Sequence, residues 1–189
     1  MRRNKSNQLA TISIFFATMI VLDIVGTIIF SVLPFQIHPT LVHIPVIIAS
    51  ILYGPKIGAS LGLLMGFMSI LHNTIILQAS SYLFSPFVEK GNLYSIFIAV
   101  IPRVLIGITP SLVYRWNKSS FGLGLAGAVG SLTNTIFVLG GIFFLFANVY
   151  NGDVQKLLAV VLGTNSIAEA VLSVVLTISI VPRLKKISQ

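Results

Sequence analysis

The chain is a succession of apolar runs, and those runs leave almost no surface fit for water. They cover about Leu9–Leu33, Leu41–Tyr53, Ile57–Ile76, Tyr94–Tyr114, Phe121–Ala147 and Leu157–Val181. A helix that crosses the hydrocarbon core of a bilayer needs about 20 mainly apolar residues. Five runs reach that length. The second, Leu41–Tyr53, falls short and is expected to be tilted, re-entrant or capped by protein. A soluble domain keeps roughly a quarter of its residues charged, whereas this chain carries 8% and has a mean hydropathy of +0.99. Lipid must therefore cover most of it. The expected fold is all-α: one membrane domain over residues 1–189, a bundle of six transmembrane helices with no soluble appendage.

The links between runs carry the turn chemistry. The first run stops near Pro34 and gives way to Phe35–Thr40; Gly54-Pro55-Lys56 is a strong turn signal. The longest polar stretch runs from Gln78 to Leu93, Arg115-Trp116-Asn117-Lys118 closes the fourth run, Asn148–Gln155 follows the fifth, and Pro182-Arg183-Leu184-Lys185-Lys186 ends the sixth. Met1-Arg2-Arg3-Asn4-Lys5 before an apolar run imitates a signal peptide. That run is too long for such a segment and lacks a small-residue cleavage site, so it is expected to be the first transmembrane helix.

Six crossings place both termini on one side, and the basic residues choose which. With the termini in the cytoplasm, the inner segments hold Arg2, Arg3, Lys5, Lys56, Arg115, Lys118, Arg183, Lys185 and Lys186, and the outer loops hold only Lys90 and Lys156. Cytoplasmic loops of membrane proteins are enriched in Lys and Arg. The net charge of +8 is then orientation signal. Nucleic-acid binding is not expected, because the cations are scattered over short loops.

The informative residues are the polar ones inside the runs. A charge at the bilayer centre costs at least about 2.5–3.5 kcal/mol, so it faces the bundle interior, has a partner, or marks a ligand path. Arg103 lies roughly 14 Å below the outer face at 1.5 Å per residue, and Glu169 lies near mid-depth of the sixth run. The two are candidates for an ion pair, a ligand site, or both. Asn165 and Glu169 share a helix face at i, i+4, and Ser131 and Asn134 share one at i, i+3, with Gly140-Gly141 leaving room beyond. These faces can converge as a small-molecule pocket between helices; interhelical hydrogen bonding is the rival reading. His38, His72, Asn92 and Tyr94 sit toward the outer loops and are further candidate contacts; His43 flanks the first of those loops. Tyr82, Phe84 and Phe87 make the Gln78–Leu93 stretch a candidate lid. Asp23 stands midway along the first run; with Glu169 it suggests a proton or cation relay, which needs a longer chain of carboxylates than four acids supply.

Other chemistry is missing. There is no cysteine, no metal-ligand spacing among the three histidines, no phosphate-binding Gly-rich loop with Lys-Ser/Thr, and no nucleophile elbow. Neither a catalytic site nor a metal or cofactor is expected. Two small-residue patches remain. Gly58, Gly62 and Gly66 repeat at i, i+4 and favour close packing inside the bundle. Ala10, Ser13 and Ala17 lie near the cytoplasmic end of the first run and offer a docking surface for another membrane protein.

The stretch His43-Ile44-Pro45-Val46-Ile47-Ile48-Ala49-Ser50-Ile51-Leu52-Tyr53-Gly54-Pro55-Lys56-Ile57-Gly58-Ala59 resembles the second and third helices of the S components, the substrate-binding membrane subunits, of energy-coupling factor vitamin transporters. Ile101-Pro102-Arg103-Val104-Leu105-Ile106-Gly107 looks like their fourth helix. The resemblance implies a small-molecule vitamin bound near the outer face of a bacterial cell membrane. It also implies docking of the first helix, here through Ser13-Ile14-Phe15-Phe16-Ala17, on a transmembrane scaffold (the T component) driven by two cytosolic ATPases. Ser131-Leu132-Thr133-Asn134-Thr135 and Gly163-Thr164-Asn165-Ser166-Ile167-Ala168-Glu169 look most like the pantothenate-type members. Pantothenate would offer a carboxylate to Arg103 and hydroxyl and amide groups to Asn134 and Asn165. Hydroxymethylpyrimidine or a pyridoxine-like ring is the alternative, with Glu169 accepting from a ring amino group. The first loop, Phe35–Thr40, lacks the acid expected of riboflavin-type members. Outside this family, a stand-alone secondary transporter and a ligand-free assembly factor remain open.

Overall fold

The computed structural model describes residues 5–32, 41–78, 80–146 and 153–187. Among them the regular structure is helical throughout: α1 (Lys5–Val32), α2 (His43–Tyr53), α3 (Pro55–Ile75), α4 (Leu93–Ile106), α5 (Thr109–Trp116), α6 (Ser120–Leu145) and α7 (Asp153–Ile187), with one 3-10 turn at Ser81–Leu83. Five stretches are long and apolar enough to cross a membrane: Ser6–Ile29, Pro55–Ile75, Leu93–Trp116, Ser120–Leu145 and Asn165–Lys186. The chain is a multi-pass membrane protein.

Two boundaries differ from the sequence expectation. The fourth run is not one helix but two, α4 and α5, broken at Gly107-Ile108. Pro110 has no N–H for the carbonyl of Ile106, and the chain tightens there, with Ile108 N donating to Leu105 O at 2.9 Å. The last helix does not stop at Pro182 but runs through it to Ile187. Pro182 removes one hydrogen bond, and the basic residues beyond it continue the helix. An apolar run marks where lipid contact ends; the helix itself can continue into water.

α2 has 11 residues, about 16 Å of helix against a hydrocarbon core of about 30 Å. It resolves its shortness by lying inside the protein: every residue from His43 to Ile51 is buried. Around it gather Ile57, Leu61, Met65, Ile106, Leu123, Ala126 and Val181. Gly54, with φ of 91°, turns the chain directly from α2 into α3, a backbone angle that only glycine adopts freely.

The α3–α4 seam is backbone against backbone. A Cβ on Gly62 would stand 2.1 Å from the carbonyl oxygen of Arg103, and one on Gly58 would stand 2.0 Å from that of Gly107. The i, i+4 repeat on α3 thus faces the i, i+4 positions Arg103 and Gly107 on the following chain. The glycine patch serves internal packing.

One end of the bundle is roofed by residues 76–78 and 80–92. Ser81 Oγ accepts from Gln78 N at 2.8 Å and donates to Ile76 O at 3.2 Å, and Ser95 Oγ donates to Tyr82 O at 2.6 Å. These bonds seat Leu83 in a second hydrophobic cluster with Ile98, Val138, Ile142 and Phe146, against which Tyr82 and Phe84 pack. We call this the roofed end. The opposite, basic end carries Lys56, Arg115, Lys118 and the tail of α7. There Lys185 Nζ donates to Tyr114 OH at 2.6 Å and lies 4.2 Å from its ring centroid, and Trp116 is fully presented to the surroundings.

Candidate binding site

Contacts between α4, α5, α6 and α7 bracket the positions of the polar residues singled out on the fourth, fifth and sixth runs. A Cβ on Gly141 of α6 would touch the side chain of Ile98 on α4. Nearer the basic end, Thr109 Oγ1 lies 3.2 Å from Thr133 Oγ1 of α6. Arg103 and Asn134 both fall between these two contacts. On the other flank of α6, Thr135 Oγ1 meets Ser166 Oγ of α7 at 2.5 Å, and Gly127 lies against the Ser173 carbonyl. Glu169 falls between those.

Arg103 is 9% exposed and Glu169 7%. Burial strips water from the guanidinium, and the charge of Glu169 acts on it from α7. Such a buried cation needs both an opposite charge and hydrogen bonds to hold it. The Nη1 atom of Arg103 donates to the carbonyl of Ile98 at 2.7 Å, and the ring of Phe84 lies 5.1 Å from the guanidinium carbon. Arg103 Nε, Asn134 Oδ1 and Ser131 Oγ are buried with no hydrogen-bond partner. A buried donor or acceptor left unpaired costs about 1–3 kcal/mol. Ser50 Oγ and Thr177 Oγ1 share that condition deeper in the core; Arg103, Ser131 and Asn134 are the candidates for a site that a guest would complete.

Asn92 is the N-cap of α4: its Oδ1 accepts from Tyr94 N at 2.8 Å, and its own N–H donates to Ser95 Oγ. Tyr94 is half-exposed and meets Phe146 edge-on at 6.5 Å. These two build the roof. His72 faces α1, its Nδ1 3.4 Å from Asp23 Oδ2, and the pair lines a groove of about 240 Å³ with Met68, Leu71, Ile75 and Ile76. Asp23 and Glu169 thus belong to different seams. Asn165 is half-buried on α7. His38 lies outside the described residues. Ala10, Ser13 and Ala17 are all exposed along one face of α1.

Two features escaped the sequence reading. His43, the first residue of α2 after the first loop, is fully buried, with Nε2 2.9 Å from Ser173 Oγ of α7. The bond between Arg103 and Ile98 was also missed, although the adjacent Pro102 was a readable signal for it.

Comparison with known proteins shows the family. Residues 7–181 match the family model described as the substrate-specific component of ECF transporters. The chain belongs to that family. It is 40% identical over 191 residues to the pantothenic acid transporter PanT of Lactococcus lactis subsp. cremoris, covering 98% of this chain and 97% of the relative. It is 30% identical over 203 residues to the pantothenate transporter PanT of Leuconostoc mesenteroides, covering 95% and 93%. A substrate-specific component is a transporter subunit, not an enzyme. Its working part is therefore a binding site for the transported substrate.

Proposed function

We propose that this substrate-specific component binds pantothenate between α4, α6 and α7, below the roof of residues 76–78 and 80–92. The observation that carries the reading is the set of buried, unpartnered polar atoms on Arg103 and Asn134, with the charge of Glu169 acting on Arg103 from α7. The ligand's groups match them. The carboxylate suits the free donor capacity of Arg103, the amide N–H suits the Asn134 carbonyl, and a hydroxyl suits Glu169 as acceptor. The names of the two relatives support pantothenate over a ring-based vitamin.

In this reading α2 counts as a sixth, protein-covered crossing, and both termini and the basic end lie in the cytoplasm, in accord with the Lys and Arg distribution. The roofed end then faces outward, where a vitamin arrives. The exposed face of Ala10, Ser13 and Ala17 is the docking surface for a transmembrane scaffold, with two cytosolic ATPases supplying energy.

The test is calorimetry on the chain alone in detergent. Pantothenate should bind one-to-one without a coupled ion, and Arg103→Ala should weaken binding by about 10- to 100-fold, the worth of a hydrogen bond to a charged group. Unchanged affinity in that variant removes Arg103 from the site. Gradient-driven uptake by the lone chain in liposomes would replace the importer-subunit reading with a secondary transporter.

A further inference from the structure

The structure assigns Pro102 as the positioning residue for Arg103: by withholding its N–H from the Ile98 carbonyl, it gives the guanidinium the anchor that aims it at an anionic ligand group. The inference rests on the pantothenate reading above and deepens it.

In an unbroken helix the N–H of residue i donates to the carbonyl of residue i−4. The residue that would serve Ile98 is residue 102. Pro102 stands inside α4 and has no N–H, and its ring crowds that same carbonyl. The orphaned acceptor is buried: Ile98 is fully inaccessible and packs over Gly141. Arg103 Nη1 fills the gap at 2.7 Å. The side chain must turn back along α4 toward the roofed end to do so, and that brings the guanidinium under the Phe84 ring at 5.1 Å. One nitrogen is committed to the backbone and one face to an aromatic ring. The guanidinium plane is thereby fixed, while Nε stays buried without a protein partner. A fixed guanidinium presents its remaining N–H groups to a carboxylate in a set geometry, where a free one would reorient on binding. The gap left by the proline is thus what the arginine needs.

Pro102→Ala returns the N–H to Ile98. It should leave α4 at least as stable, because a helix hydrogen bond is restored, yet loosen Arg103. The two effects have opposite signs, and a merely structural proline would not give that result. Affinity is measured for pantothenate and for its alcohol analogue, in which CH2OH replaces the carboxylate, in the wild type, Pro102→Ala, Arg103→Ala and Phe84→Leu. The wild type should prefer the carboxylate by about 10- to 100-fold. Arg103→Ala should abolish the preference. Pro102→Ala should cut it at least fivefold, with affinity for the alcohol within twofold of wild type and an unchanged or raised melting temperature. Phe84→Leu should cut it by a smaller factor. A preference kept intact in folded Pro102→Ala overturns the inference and leaves the pantothenate reading standing. Should that variant fail to fold, an intact preference in Phe84→Leu overturns it instead. A wild type that does not discriminate between the two ligands sinks both.

Discussion

α1 and α2 are adjacent apolar helices with opposite fates. α1 has 28 residues, yet among its described side chains Met19 alone is buried. α2 has 11 residues, of which nine are buried. In water such a difference would follow from composition, because apolar surface is driven inward. In lipid it does not, since hydrocarbon tails are as apolar as leucine. What separates the two is length and neighbours. α2 is too short to cross alone and is enclosed by α3, α6 and α7. α1 spans by itself and touches the bundle along one stripe, where Ile12, Phe15, Phe16 and Met19 meet the core and Asp23 meets His72. Its other stripe, Ala10, Ser13 and Ala17, is bare. One helix is part of the bundle core; the other is a rail laid against it with one face exposed.

Matched truncations put the contrast to the test. Ile47→Ala in α2 should lower stability by about 2–4 kcal/mol, the cost of a cavity at a closed site, read by thermal unfolding in detergent. Ile24→Ala in α1, 54% exposed, should change it by less than about 0.5 kcal/mol. Equal losses would mean that α1 is as tightly built in as α2. A smaller effect, of at least tenfold in transport (about 1.4 kcal/mol), is expected of Ala17→Trp. Bulk on the bare stripe should block uptake by the reconstituted importer and leave pantothenate affinity of the free chain unaltered. Loss of binding together with uptake would show that this stripe faces the bundle. A smaller loss concerns the polar clasp. Double-mutant coupling between Asp23→Ala and His72→Ala should come to about 0.6 kcal/mol, the average for polar pairs within membranes. No coupling would leave α1 held by apolar contact alone.

Much of this was legible in the residues. The runs located the spans, and the shortness of Leu41–Tyr53 announced a helix that needs cover. Arg103, Asn134 and Glu169 stood out because charged and amide groups are expensive in lipid, and the structure buries Arg103, Glu169 and the Asn134 side-chain oxygen. Less was legible where a role depends on which neighbour takes up a hydrogen bond. Asn92 caps α4 and Tyr94 packs edge-on against Phe146, contacts set by the fold. His72, lying in a polar dipeptide near the outer loops, turned toward Asp23, 49 positions away in the chain.

The sequence by itself determined that this chain lives in a membrane and where its helices run, because those follow from the local transfer cost of each segment between water and lipid. It also named the residues that could not face lipid. Only the tertiary structure decided which of them keep partners and which are left wanting. Hydrogen-bond satisfaction depends on what other helices bring within about 3 Å, as when the carbonyl freed at Ile98 is taken by Arg103 while the Asn134 carbonyl is taken by nothing.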